Sequence, residues 1–222
     1  MRPYFWTDLL GIRAGHTFIH PTKCGGTALE QFFARVCPER IRGDGHQNLC
    51  SEKNNPIIVL REPVDRFSSI FHYWKSGAEA GPYQRAPELR AKYADVTPKQ
   101  FIRMIAEDRR DDLYADPRWT KEHFLPQAHW LPAEAMSHAI VLPYVPDLAP
   151  VVRGLFKYLR VDVPVDLPKV NVTRRDAAMD LDDEDQRWVR KAFSADFDLW
   201  ARLRHRPHSF RRVIATPAGV RI

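Results

Sequence analysis

Two apolar patterns alternate along this chain: short unbroken runs, and stretches whose apolar residues recur at helical spacing. Thr17-Phe18-Ile19-His20 is a run closed by Pro21 and predicts a buried strand. Past the turn Thr22-Lys23-Cys24-Gly25-Gly26, the residues Ala28, Leu29, Phe32, Phe33 and Val36 predict a helix, which Pro38 stops. Ile57-Ile58-Val59-Leu60 is a second run, apolar at every position, as expected of a strand covered on both faces of a parallel sheet. Pro63 sits where proline favours a helix start, and Val64, Phe67, Ile70, Phe71 and Trp74 continue at helical spacing.

Further along, Thr97-Pro98 forms a cap and first-turn pair ahead of Phe101, Ile102 and Ile105. Ala139 to Leu142 predicts a third buried strand, followed by a helix carrying Leu148, Val151, Val152, Leu155, Phe156 and Leu159. One long helix is expected from Asp183 to Leu203, with Trp188, Val189, Ala192, Phe193, Phe197, Trp200 and Leu203 on one face. The stretch from Lys75 to Val96 reads as a long surface excursion, and Pro164 to Arg175 as loop. Strands alternating with helices predict an α/β three-layer sandwich around a mainly parallel sheet. The expected organisation is one domain over residues 1–204 and a basic, poorly ordered tail over 205–222.

Composition narrows the class. The 222 residues suit one domain, and 44% hydrophobic with 28% charged residues is ordinary for a globular chain. The net charge of +6 favours an anionic partner without choosing among nucleic acid, acidic polysaccharide and nucleotide. Cys24, Cys37 and Cys50 are odd in number and form no CxxC pair, which argues against a disulfide framework or zinc site. A reducing, cytoplasmic compartment is expected. No apolar run approaches the ~18 residues that cross a bilayer, so no membrane anchor is expected in this sequence.

Two segments carry candidate chemistry. In His20-Pro21-Thr22-Lys23-Cys24-Gly25-Gly26-Thr27, a glycine turn joins a strand to a helix. Backbone amides there approach an anion closely, the helix N-terminus adds partial positive charge, and Lys23 adds a full one. The lysine precedes the glycines, so the loop is not a Walker A loop. In the second segment, Val59 to Ser69, Arg61 ends a buried strand at the edge where α/β sheets bind ligands. A guanidinium there, with the Ser69 hydroxyl beyond it, suits a second phosphate. The alternative is that Arg61 and Arg66 pair with Glu62 and Asp65 at the surface.

Taken together, PTKCGGTAL and VLREPVDRFSSIFHYW resemble the two nucleotide-binding loops of sulfotransferases that use 3′-phosphoadenosine 5′-phosphosulfate (PAPS). Later segments are similar to the carbohydrate (membrane-derived type) branch: Glu122 to Gln127, Leu167 to Thr173, and Ala195 to Trp200. The resemblance implies a P-loop-like sulfotransferase fold and transfer of a sulfuryl group from PAPS to a hydroxyl or amine, leaving PAP. It places Lys23, Cys24, Gly25, Gly26, Thr27 and Ala28 around the 5′-phosphosulfate, and Arg61 and Ser69 at the 3′-phosphate. Asn171, Thr173 and Arg174 would close over the nucleotide. Cys24 and Ala28 stand where the family often has hydroxyl residues, and Glu62 where it usually has Asp.

The implied chemistry needs a leaving-group stabiliser, for which Lys23 is the candidate, and a general base. His46 is the first candidate base by its likeness in position to the histidine of uronyl 2-O-sulfotransferases, with Asp44 nearby to orient it. Glu30, His20, His123 and His129 compete. His20, His123 and Gln127 are candidates for the acceptor site, the last two sharing a face if their segment is helical. No His/Cys/Asp cluster has metal-ligand spacing, so metal-independent transfer is expected. The expected partner is an acceptor, saccharide or small molecule, and not nucleic acid. Three other readings stay open: a phosphotransferase on a similar scaffold, a non-catalytic binder of polyanions or nucleic acid, and a degenerate sulfotransferase that keeps the fold without the activity.

Overall fold

A computed structural model describes residues 15–45, 49–51, 55–76, 91, 93–107, 123–162, 179 and 181–205, and short strands between 211 and 221. The first loop enters from β1 (His16–Ile19) and leaves through α1 (Gly26–Val36). A short strand, β2 (Ile41–Gly43), follows. Then come β3 (Pro56–Leu60), α2 (Pro63–Lys75) and α3 (Pro98–Ala106). Two 3-10 turns, Gln127–His129 and Ala133–Ala135, precede β4 (Ile140–Pro143) and α4 (Ala149–Leu159). The chain continues through α5 (Asp183–Ala192) and α6 (Ser194–His205). Strand pairing then extends through β5 (Arg211–Arg212), β6 (Ile214–Thr216) and β7 (Gly219–Arg221).

The main sheet has the order β2-β1-β3-β4-β5, and every pairing in it is parallel. The β6–β7 pair is a separate antiparallel ribbon. Successive side chains of a strand point to opposite faces, and both faces are covered. Phe18, Ile57, Val59, Ile140 and Leu142 pack on one side with Leu29, Phe32 and Phe33 of α1 and Val152, Leu155 and Phe156 of α4. Ile19, Ile58, Leu60 and Val141 pack on the other with Trp130, Leu131, Leu199 and Leu203. A third cluster joins α2, α3 and α5 through Phe67, Trp74, Phe101, Ile102 and Val189, with Tyr93 and Phe124. The protein is thus a mixed α/β structure around a parallel sheet, as its alternating pattern predicts.

Local chemistry explains the helix boundaries. Pro63 opens α2, and the Glu62 carboxylate accepts the Asp65 amide at 2.8 Å. Thr97 and Gln100 close a capping box at the start of α3. The predicted helix from Asp183 to Leu203 is instead two helices. The backbone departs from helical geometry at Phe193 (φ −122°, ψ 34°), where α5 ends. The break lets Phe193 stay buried in the cluster with α2 while Asp196 turns beneath the loops of the sheet edge. Without a proline or glycine, the sequence gives no warning of it. The strand β2 is also absent from the sequence reading, being only three residues long.

Candidate active site

Parallel strands end together, so the loops after β1, β3 and β4 meet at one edge of the sheet. The first loop turns through two left-handed residues, Lys23 (φ 62°) and Gly25 (φ 75°), on either side of Cys24. Such alternation curls a backbone into an anion-binding concavity. Gly25 caps α1, offers its amides no side-chain acceptor, and is followed by no acidic residue in the first turn. Both glycines are needed for packing. A Cβ on Gly25 would lie 2.4 Å from Tyr144 Cε2, and one on Gly26 would lie 2.0 Å from His20 Cγ.

The second loop locks onto the first. Arg61, 4% exposed, donates through Nη1 to the Lys23 carbonyl at 3.0 Å. Its Nε donates to Asp65 at 2.6 Å, and its guanidinium lies 4.4 Å from the centre of the Tyr144 ring. The Asp65 pair of the alternative sequence reading therefore forms, but with a buried arginine that also reaches the first loop. Arg66 does not pair with Glu62 or Asp65. It runs beneath the first loop, where Nε donates to the Thr22 carbonyl at 3.0 Å and Nη1 lies 3.6 Å from Asp196. Lys23 is half-exposed, with Nζ 3.9 Å from the centre of the Tyr73 ring.

Two further clusters border the loop. His20 is buried, and its Nε2 lies 3.2 Å from Glu30 Oε2, while Glu30 Oε1 accepts the Gly45 amide at 3.1 Å. His20 and Glu30, read as separate candidates, are thus one pair. His123 and Gln127 do not share a helix face, because residues 124–126 are not helical and Gln127 starts a separate 3-10 turn, Gln127–His129. His123 stacks on Tyr73 with ring centres 5.2 Å apart, and Gln127 is buried between the two loops. His129 is exposed and lies edge-on to Trp130. Thr27 and Ala28 occupy the half-buried first turn of α1, and Ser69 is buried on α2. His46, Asn171, Thr173 and Arg174 lie outside the described residues.

Burial sets the acid–base character of two of these groups. The Cys24 thiol is pushed up to about 11 by desolvation, against the pull of Arg66 and Arg61. It is a hydrogen-bond donor, not a thiolate. Burial also raises Asp196, opposed by Arg66 and by hydrogen bonds from Gln127 and Ala128. Among the described residues, no group of three His, Cys, Asp or Glu side chains is placed to hold a metal ion.

A family model described as Sulfotransferase family matches residues 27–201. The chain belongs to the sulfotransferase family. The match spans α1 through most of α6 and so takes in Arg61, Arg66, Gln127 and Asp196. Family membership supports a transferase that moves sulfuryl groups. No curated protein and no solved structure gives a significant match. The structure adds to the candidate site Asp196, Tyr73 and Tyr144, which sequence reasoning did not single out, and Arg66, which it read only as a surface partner. Each had a signal: Arg66 and Tyr73 lie within the second motif, Asp196 within the segment Ala195 to Trp200, and Tyr144 two residues past the third apolar run, at the same sheet edge as Lys23 and Arg61.

Proposed function

We propose that this sulfotransferase takes its sulfuryl group from PAPS and passes it to a hydroxyl or amine of a saccharide or other small acceptor, without a metal. The observation that carries this reading is the 3.0 Å bond from the Arg61 guanidinium to the Lys23 carbonyl. It ties the second loop's arginine to the backbone of the first, so two loops that each carry a cationic side chain lie side by side, as a nucleotide with a phosphate at each end requires. The residues fit such a ligand. The glycine turn is left-handed at two positions, a Cβ on either glycine would intrude on a neighbour, and the α1 amides meet no side-chain cap.

PAPS, when bound, supplies a sulfuryl group already joined to a phosphate leaving group. Lys23 and the amides of Gly25, Gly26 and Thr27 hold the 5′ end and neutralise charge gathering on the leaving oxygen. Cys24 and Ala28 shape the same turn. Arg61 and Ser69 hold the 3′-phosphate, and Asn171, Thr173 and Arg174 close over the nucleotide. This is a P-loop-like use of a strand–turn–helix, in which positioning and electrostatics do most of the catalysis.

The acceptor must lose a proton. His46 is the first base, followed by His20, Glu30 and His123. The contact of Glu30 with His20 favours treating those two as a unit. His123, which stacks on the Tyr73 ring that Lys23 Nζ also faces, is the acceptor-site candidate we favour, while Gln127 is buried between the loops. We place the reaction in the cytoplasm, where its three free thiols remain reduced. Calorimetric titration with PAP, beside ATP with magnesium, tests the proposal. Micromolar, metal-independent PAP binding that is lost in Lys23→Ala and Arg61→Ala supports it. A folded protein that binds no PAP overturns it.

A further inference from the structure

Gln127 stands where both loops and α6 converge. Its Oε1 accepts the Arg61 backbone amide at 2.8 Å and the Cys24 thiol at 3.0 Å. Its Nε2 donates to the Arg61 carbonyl at 2.8 Å and faces Asp196 Oδ2 at 3.5 Å. One carboxamide thus satisfies both backbone groups of Arg61, as a neighbouring strand would, and reaches across to the first loop as well. The residue is 2% exposed, so water does not compete for these bonds.

The crossbar is braced from behind. Asp196 Oδ1 accepts the Ala128 amide at 3.0 Å, which fixes the turn that carries Gln127. Asp196 also lies 3.6 Å from Arg66, whose Nε holds the Thr22 carbonyl of the first loop at 3.0 Å. Gln127, Asp196, Arg66 and Cys24 therefore connect the undersides of both loops in one buried network.

We infer that Gln127 is a positioning residue that fixes the separation between the Lys23 loop and the Arg61 loop. The inference rests on the proposed reading that one nucleotide spans both loops. A ligand with a phosphate at each end gains affinity over a one-phosphate ligand only while the two subsites stay at matching separation. Loosening the crossbar costs the two-ended ligand this advantage on top of any loss at the Arg61 loop, whose backbone Gln127 bonds, and leaves the amides of the Lys23 loop in place.

The test compares PAP, which carries both phosphates, with 5′-AMP and 3′-AMP, which carry one each. Calorimetry on the full chain measures all three in wild type, Gln127→Ala, Cys24→Ala and Cys24→Ser. Gln127→Ala should weaken PAP by about tenfold or more while 5′-AMP changes by less than about twofold and 3′-AMP by less than PAP does. Cys24→Ala removes only the arm to the first loop and should shift PAP in the same direction by less. Cys24→Ser restores a donor and should recover most of that loss. If Gln127→Ala does not fold, the Cys24 pair decides. Equal weakening of all three nucleotides, or unchanged PAP affinity, overturns the inference. Wild-type protein that binds PAP no better than either monophosphate overturns the two-loop reading of function itself, a result visible without any variant.

Discussion

Arg66 donates from Nε to the carbonyl of Thr22 at 3.0 Å, so a side chain of the helix after the second loop holds the backbone of the first. Its Nη2 also lies 3.4 Å from the Thr22 hydroxyl, and its guanidinium is 5.7 Å from the centre of the Phe193 ring. A backbone carbonyl, a carboxylate 3.6 Å from Nη1 and an aromatic face surround this buried cation, although Nη1 makes no hydrogen bond among the described residues. The loop's left-handed turn is then set by contacts from the core as well as by its glycines.

Breaking this pair from one side should be costly. Arg66→Met leaves Asp196 without its cation, and removing one partner of a buried ion pair typically costs about 3–5 kcal/mol. The double variant Arg66→Met/Asp196→Leu leaves no unpaired charge and should be more stable than Arg66→Met alone. Urea midpoints of the two single variants and the double variant check this. Strictly additive losses would show that the two residues do not act as a pair.

Gly26→Ala should damage the loop more than Gly25→Ala. The Gly26 methyl would meet the buried His20 ring, which is held by Glu30 and cannot swing away without losing that contact. At Gly25 the methyl would meet the Tyr144 ring, and the left-handed backbone adds about 1–2 kcal/mol for a residue with a Cβ. Both variants should lose stability in thermal melts, and both should weaken PAP. A Gly26→Ala protein of wild-type stability would contradict the close packing of His20.

Much of this arrangement is legible in the sequence because it is local. The runs at Thr17–His20 and Ile57–Leu60, the glycine turn and Pro63 each fix a structure within a few residues, and each is where expected. The break at Phe193 is not local: it follows from burying Phe193 against α2 while turning Asp196 inward. Arg66 was open to reading as a surface partner of Asp65 because charge spacing on one helix is visible and a carboxylate far along the chain is not. Gln127 likewise carries no mark of its contacts with Arg61 and Cys24. Sequence patterns show which loops come together; the polar groups that hold them together lie on elements that only the fold makes neighbours.

The three thiols should be silent in the native protein. Burial pushes Cys24 up to about 11, and Cys37 and Cys50 up to about 12. A thiol reacts as its thiolate, so native protein at pH 8 should show almost no labelling by an aromatic disulfide reagent. Denaturant should release all three. Rapid stoichiometric labelling of one native thiol, traced to Cys24, would mean that the loop opens readily.

Stability should fall in acid partly through Glu184. Lys99 Nζ lies 2.7 Å from its Oε2, Arg103 bonds its Oε1, and together they tie α3 to α5. These two hydrogen bonds lower its carboxyl from 4.5 to about 2. A carboxylate with a depressed folded value binds protons more readily when unfolded, so it stabilises the fold above pH 4.5. That contribution disappears as pH falls from 4.5 toward 2. All three side chains are well exposed, so solvent and salt screen the interaction. Wild type should therefore melt above Glu184→Gln by a small margin at pH 7 in dilute buffer. The margin should narrow as the pH drops through that window, and it should also narrow in molar salt. A margin unchanged by both acid and salt would show that Glu184 acts through packing and not through its charge.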